Sequence, residues 1–428
     1  MRKTEALEKL TDRDKKHLWH PLTQHKVSPD MLGIARAEGA LIFDEDGKDY
    51  VDGIASWYTC MYGHCNPYIL KKVSEQMQRL DQVVFSGFTH EPAVKLSEEL
   101  IKILPENQEK LFFSDNGSTA TEVGIKMALQ YHHNQGEKRN VLLAFEEGFH
   151  GDTFGAMSVS GLSVYNGPFA DFFIEVERIP VPTETNIHQI LTFLERRLEH
   201  NNIAGFIYEP LVQGAAAMKM HDVDGLDKIL GLLKEHGILL IADEVMTGFG
   251  KTGKYFASDY LDTQPDIMCL SKALTAGLVP MGLTTCTQEV YMAFYSDDVA
   301  KGLFHGHTYT ANPLACAAAL AALELLQTEE IQTGIQNTIQ WHQKFDEEIK
   351  HHPKVASTRQ LGVIYALDLN IKMERYGNLR NQLFKHFMDQ GVFLRPLGET
   401  IYILAPFITT KEQMERIYGA IKSALELV

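Results

Sequence analysis

A lysine just beyond one apolar run and an aspartate closing another are the residues of this chain best placed for chemistry. In "PDIMCLSKALTAG" the run Ile267–Leu270 follows Pro265 and reads as a short buried strand, with Lys272 two residues later among small side chains. In "LLIADE" a second such run ends on Asp243. An amine becomes a nucleophile toward a carbonyl only where its surroundings lower its pKa, and the end of an apolar strand is such a place. A carboxylate in the same crevice would pair with a protonated ring nitrogen. Taken singly, Lys272 also reads as a solvated surface residue and Asp243 as a strand-end cap.

Three further stretches carry compatible chemistry. In "FFSDNGSTATE" a strand ends, Asn116-Gly117-Ser118 follows and a helix begins, so free N–H groups and the helix dipole offer an anion site; an ordinary helix cap reads the same way. In "EEGFHGD" Phe149 and His150 would present an aromatic face to a planar ligand, or fill a turn. In "HGHTYTANPLACAAA" Thr308 would offer a hydroxyl to phosphate, and Asn312-Pro313 looks like a helix start. By contrast, "GFGKTGKY" matches a phosphate-binding loop only partly. It puts Tyr255 where Ser or Thr is needed for a metal, and the acid-ended strand lies immediately before it, which speaks against a nucleotide hydrolase.

The elements that must position these residues alternate. Apolar runs at Lys110–Phe113, Val141–Phe145, Ile203–Tyr208, Ile238–Ala242, Ile267–Leu270 and Leu283–Cys286 are separated by helical patterns at Ser118–His132, Ile187–His200 and Leu226–His236. This predicts βαβ units and a mostly parallel sheet covered on both faces. Ligands of such sheets bind beyond the carboxyl ends of the strands, which selects Ser114-Asp115-Asn116, His150, Glu209, Asp243 and Lys272. From about residue 330 the pattern becomes helices with a few strands, such as Val363–Leu369 and Ile401–Leu404, and with residues 1 to about 60 it suggests a second lobe.

Bulk properties narrow the classes. A chain of 428 residues is expected to hold more than one core. A formal charge of −16 argues against nucleic acid, which needs clustered Lys and Arg. The five cysteines form no CxxC pair, so reduced thiols in a cytoplasmic protein are expected, with no metal site. "MRKTEALEKLTDRDKK" has no apolar core and reads as a charged surface helix, and the longest apolar stretch, Pro313–Leu326, is too short to span a bilayer, so a soluble protein is expected.

In their order, "DNGSTATE", "FHGDTFGAMSVSG", "IYEPLVQGA", "LLIADEVMTGFGKTGK", "PDIMCLSKAL" and "HGHTYTANPLACAAALAALE" resemble the class III, fold-type-I aminotransferases that use pyridoxal 5′-phosphate, over about residues 40 to 325. The resemblance implies an α/β fold: a large cofactor domain with a mostly parallel sheet covered by helices (residues 61–328), and a smaller α+β domain built from segments 1–60 and 329–428. It implies Lys272 as the lysine that carries the cofactor and acts as general base and acid, with Asp243 as the pyridinium partner. Gly117, Ser118 and Thr308 would bind phosphate, with Thr308 reaching across a homodimer and His307 beside it. Phe149 would stack on one face of the ring, Val245 would pack on the other, and Glu209 would support Asp243.

"LWHPLTQH", "YVDGIASWYTCMYGHCNP" and "GVFLRPLGETIYILAPF" are similar to the branch of that family that aminates 8-amino-7-oxononanoate in biotin biosynthesis, with S-adenosylmethionine as amino donor. That likeness puts Leu22, Trp57, Tyr58, Phe149, Lys272, Gly306 and Arg395 at the substrate. Trp57 and Tyr58 would wall the apolar chain of the keto acid, and Arg395 would offer a planar fork to its carboxylate. Four positions depart from the pattern: Leu22 stands for Tyr, Tyr58 for a second Trp, Phe149 for Tyr and Lys251 for Arg. "HGHTYT" resembles the branch that takes lysine as donor.

Overall fold

The computed structural model describes residues 9–163, 166–375 and 377–428. Its largest sheet has seven strands: β1 (Gln108–Ser114), β2 (Val141–Phe145), β3 (Val176–Ile179), β4 (Ile203–Tyr208), β5 (Leu239–Asp243), β6 (Ile267–Leu270) and β7 (Gly282–Thr287). Across the sheet the order is β1-β7-β6-β5-β4-β2-β3, and every pair is parallel except the two made by β7. Strands β2, β4, β5 and β6 are buried along their whole length, as continuous apolar runs between two helical layers must be. Helix Gly117–Asn134 packs on β6 and β7, and Val223–Glu235 packs on β5.

The expected runs match these strands to the residue at β2, β4 and β6, and within a residue or two elsewhere. Strand β3 was not anticipated from the sequence. It is a half-buried edge strand whose Glu177 and Arg178 break the apolar pattern, and Arg178 spends its guanidinium on the carbonyls of Ser158 and Ser160.

Beyond the long helix Glu329–Ile349, strands Val355–Leu361, Ile364–Leu369 and Thr400–Ile403 form a separate antiparallel sheet. The two ends of the chain meet in a four-stranded sheet, where Val392–Phe393 pairs in parallel with Asp49–Asp52 beside Leu41–Asp44 and Ile34–Glu38. Helix Pro313–Leu326 begins as expected: Asn312 accepts from Leu314 N and Ala315 N at 3.0 and 3.1 Å, and Pro313 fills the first turn. The charged amino-terminal helix appears at Leu10–His17 with no buried residue; residues 1–8 lie outside the described residues. Among the described residues no helix is long and apolar enough to cross a membrane, and no cluster of His, Cys, Asp or Glu could hold a metal ion.

Candidate active site

Parallel pairing of β5 with β6 sets Asp243 opposite Cys269, so the chain delivers Asp243 and Lys272 to the same carboxyl edge of the sheet. Asp243 is almost wholly buried; its Oδ1 accepts Val245 N at 3.1 Å and its Oδ2 accepts His150 Nδ1 at 2.7 Å. His150 arrives from the loop after β2, and its own N–H donates to Ser160 Oγ at 3.0 Å. Lys272 begins a short 3-10 turn with φ +50, in the left-handed region. Its Nζ makes no hydrogen bond or ion pair among the described residues and lies 5.3 Å from the centroid of the Tyr58 ring. Burial lowers the pKa of this amine, against the charges of Asp243 and Glu209, which raise it.

Glu209 closes β4 one strand away. Burial, with the charge of Asp243 adding to it, pushes its carboxyl up to about 7, against His150 and the two amides that favour the charged form. Those amides are Phe149 N and Gly214 N, each 2.9 Å from a carboxylate oxygen, so Glu209 pins the backbone that carries Phe149. The Phe149 ring itself stays exposed.

The start of helix Gly117–Asn134 forms the opposite wall. Asn116 Oδ1 accepts Thr119 N at 2.9 Å, and the N–H groups of Gly117 and Ser118 lie in the first turn, ahead of any intrahelical acceptor. A Cβ at Gly117 would stand 2.9 Å from Val245 and 3.6 Å from the Cβ of Ser271, so only glycine lets the helix start approach Val245 and the residue before Lys272. Gly151 is equally constrained, because a Cβ there would overlap Ser118.

A third wall comes from the amino-terminal segment. Ala55, Ser56, Trp57 and Tyr58 have φ of 45, 45, 73 and 71°, a left-handed turn made without glycine. It is closed by Tyr58 N donating to Ile54 O and Thr59 N donating to Ala55 O, both at 2.9 Å. The turn buries Tyr58 against Tyr402, ring centroids 5.8 Å apart, and presents Trp57 to Arg395, whose guanidinium carbon is 4.9 Å from the indole centroid.

Gly117, Ser118, Val245, Glu209, Asp243, Lys272, Tyr58, Trp57 and Arg395 are thus tied through shared contacts. Gly306, His307 and Thr308 are not: no hydrogen bond or ion pair among the described residues joins them to Lys272 or Asp243. Their loop is held by His307 N donating to Thr310 Oγ1 and by Gln82 Nε2 donating to Thr308 O at 2.8 Å. Leu22 is exposed, at φ +51, and makes no such contact either.

Sequence reasoning missed the pairing of His150 with Asp243 and the burial of Lys251. The pairing of His150 with Asp243 joins residues 93 apart, and the only advance signal was that both follow sheet strands. The stretch Gly248–Tyr255 is a series of turns followed only by the short 3-10 turn Ala257–Tyr260, so it offers no α-helix start for a phosphate, as its sequence suggested. Its Lys251 is fully buried, donates to Gly248 O at 2.7 Å, and is pushed down to about 7 by burial and by the charge of Lys272, against Glu244.

The residues fit pyridoxal phosphate. A lysine with no hydrogen bond or ion pair among the described residues, a carboxylate oriented by a histidine and a glycine-cleared helix start converge on one crevice. Residues 23–425 match the model of the class-III aminotransferases, and the chain belongs to that family. Among its relatives, the adenosylmethionine-8-amino-7-oxononanoate aminotransferase of Synechococcus elongatus is 42% identical, covering 96% of this chain and 98% of the relative. The enzyme of the same name from Geobacter sulfurreducens is 36% identical, with 98% of each chain covered. The crystal structure of an adenosylmethionine-8-amino-7-oxononanoate aminotransferase from Methanocaldococcus jannaschii superposes with a TM-score of 0.93 at 31% identity, over 98% of this chain and 99% of that one. An amine transaminase from an uncultivated Pseudomonas species, in its PLP-bound form, has a TM-score of 0.89 at 28% identity, over 96% and 98% of the two chains.

Proposed function

We propose that this chain is a pyridoxal-phosphate aminotransferase that converts 8-amino-7-oxononanoate to 7,8-diaminononanoate in biotin biosynthesis, with S-adenosylmethionine as the favoured donor. The convergence of buried Lys272 and His150-oriented Asp243 on one edge of the sheet carries the reaction class. The full-length likeness to enzymes of that name supports the acceptor.

Lys272 would carry the cofactor, Asp243 would face its ring nitrogen, and Gly117 and Ser118 would take its phosphate at the helix start. Val245 and Phe149 would flank the ring. When bound, pyridoxal phosphate supplies an electron sink for the carbon that loses its proton and holds the amino group between donor and acceptor. His150 fixes the direction of the Asp243 carboxylate, so a ring nitrogen of the cofactor would meet an oriented acceptor. Lys272 Nζ would take a proton from substrate carbon and return it, and burial, which lowers its pKa, favours the neutral amine that this needs. Trp57 and Tyr58 would cover the apolar chain of the keto acid and exclude water, while Arg395, stacked on Trp57, would bind its carboxylate.

Gly306, His307 and Thr308 would complete the site of a second subunit in a homodimer. The absence of any hydrogen bond or ion pair between them and Lys272 among the described residues supports that reading, as does the exposure of Trp19, Phe304 and Tyr309. Residues 61–328 would form the cofactor domain and the two ends of the chain the smaller one, a division supported by the strand pairing of Asp49–Asp52 with Val392–Phe393. A cytoplasmic location fits the five free cysteines.

Single-turnover amination tests the reading: the protein charged with the amino group is mixed with 8-amino-7-oxononanoate and the diamine is quantified. Formation of the diamine is expected, and its absence would sink the substrate assignment. Lysine in place of S-adenosylmethionine in the charging step decides the donor.

A further inference from the structure

One edge of the candidate site is held from the C-terminal part of the chain. After Glu209 the backbone makes a short ribbon, Val212–Gln213 against Lys219–Met220, closed by a turn at residues 214–218. Ala217 and Met218 in that turn have φ of 60 and 55°, a left-handed course that side-chain-bearing residues keep only when their surroundings hold it. The turn reaches the site at Gly214, whose N–H donates to Glu209 Oε2 while Phe149 N donates to Oε1. A Cβ on Gly214 would stand 3.1 Å from the Met246 side chain, so the turn lies against the segment that follows Asp243.

Arg359, on strand Val355–Leu361, crosses to this turn. Its Nε donates to Met218 O at 2.8 Å and its Nη2 to Ala217 O, so one guanidinium takes the carbonyls of both left-handed residues. The same group forks onto Asp368, Nη1 to Oδ2 at 2.6 Å and Nη2 to Oδ1 at 3.0 Å. Asp368 also accepts Ser357 Oγ at 2.6 Å and Thr400 Oγ1 at 2.5 Å. Burial works against its charge, but the hydrogen bonds from Arg359, Ser357 and Thr400 outweigh it and hold its pKa below the usual carboxylate value. Arg375 adds a bond from Nη2 to Ala215 O at 3.1 Å. Among the described residues no hydrogen bond or ion pair joins Arg359 to Lys272 or Asp243, so its effect on the site passes through the turn.

We propose that Arg359 is a positioning residue for the cofactor: through the turn at 214–218 it holds Glu209, and with Glu209 the backbone that sets Phe149 beside the ring. The inference rests on the reading of this crevice as a pyridoxal-phosphate site. The geometry calls for a guanidinium, because the planar fork serves two carbonyls and both carboxylate oxygens at once, and the point charge of a lysine ammonium does not.

The test measures the dissociation constant for pyridoxal phosphate from the visible absorbance of the lysine-bound cofactor, with the denaturant midpoint of each variant alongside. Arg359→Met should raise that constant about 2- to 30-fold, the range for residues that act on a site through a network. Arg359→Lys, which keeps the charge and the length, should lose nearly as much. Asp368→Asn should shift it in the same direction by less. Glu209→Ala removes the group that the turn positions, so adding Arg359→Met to it should change the constant by less than about twofold. A lowered midpoint with unchanged cofactor affinity, parent affinity in Arg359→Lys, or full additivity with Glu209→Ala would overturn the proposal. A parent protein without the visible band would sink the cofactor reading as well, whereas a parent that shows the band alongside any of those three results sinks this inference alone.

Discussion

Lys272 and Asp243 stand at the ends of β6 and β5, strands paired on both sides within a seven-stranded sheet, whereas Trp57 and Tyr58 stand on four consecutive left-handed residues. The first arrangement follows from pairing and burial: once the strands align, the two side chains share an edge, with Lys272 itself the one left-handed residue of the pair. The second runs against local preference, at about 1–2 kcal/mol for each left-handed non-glycine residue. It persists because Asp52 ties Ser56, Ile54 and His64 together and because Tyr58 is buried against Tyr402. The proposed proton-transfer groups therefore rest on the most constrained part of the fold, and the proposed specificity wall rests on a strained part held by side-chain hydrogen bonds. Removing a residue from the sheet half should cost chemistry; loosening the turn should cost recognition.

Lys272→Ala gives the largest expected effect. Turnover should fall by at least about 10³-fold, the upper part of the range for removal of a proton-transfer group, and the visible absorbance of lysine-bound cofactor should vanish. An unchanged band would break the assignment of the sheet half. Arg395→Ala comes next: losing a charged contact worth about 1.5–3 kcal/mol should raise KM for the keto acid roughly 10- to 150-fold. An equal loss in kcat would place Arg395 with the chemistry instead. Asp52→Asn tests the turn itself. It weakens the acceptor for Ser56 and His64, so stability should drop by about 1–3 kcal/mol in denaturant titration and KM should rise more than kcat falls.

What could be read in advance divides along the same line. Strands β2, β4 and β6 were legible because burial on both faces makes them unbroken apolar runs, and the site residues at their ends came with them. β3 was not, because an edge strand with two charged residues has no such pattern. The link between His150 and Asp243 depends on strand order, which no local spacing encodes. The left-handed turn was the least legible feature, since Ala-Ser-Trp-Tyr contains no residue that favours positive φ and the turn is held by Asp52, which His64 in turn anchors.

Lys251 gives the smallest expected effect on turnover and probes the sheet half through charge alone. Its folded pKa is about 7, lowered by burial and by Lys272, while an unfolded lysine titrates near 10.4. Between those values the unfolded chain binds the extra proton, so the contribution of Lys251 to stability is fully present above about pH 10.4 and is lost as pH falls through about 7. Lys251→Met removes that dependence. Its stability should match or exceed that of the parent below about pH 7 and should vary less between pH 7 and 10, measured by denaturant midpoints across the range. With one positive charge fewer in the interior, the Lys272 amine should hold its proton more tightly, so the acid limb of the turnover profile should move upward by less than about one pH unit. A limb that stays in place would show that Lys251 and Lys272 are insulated from each other, and that the sheet half works through Asp243, His150 and Glu209 alone.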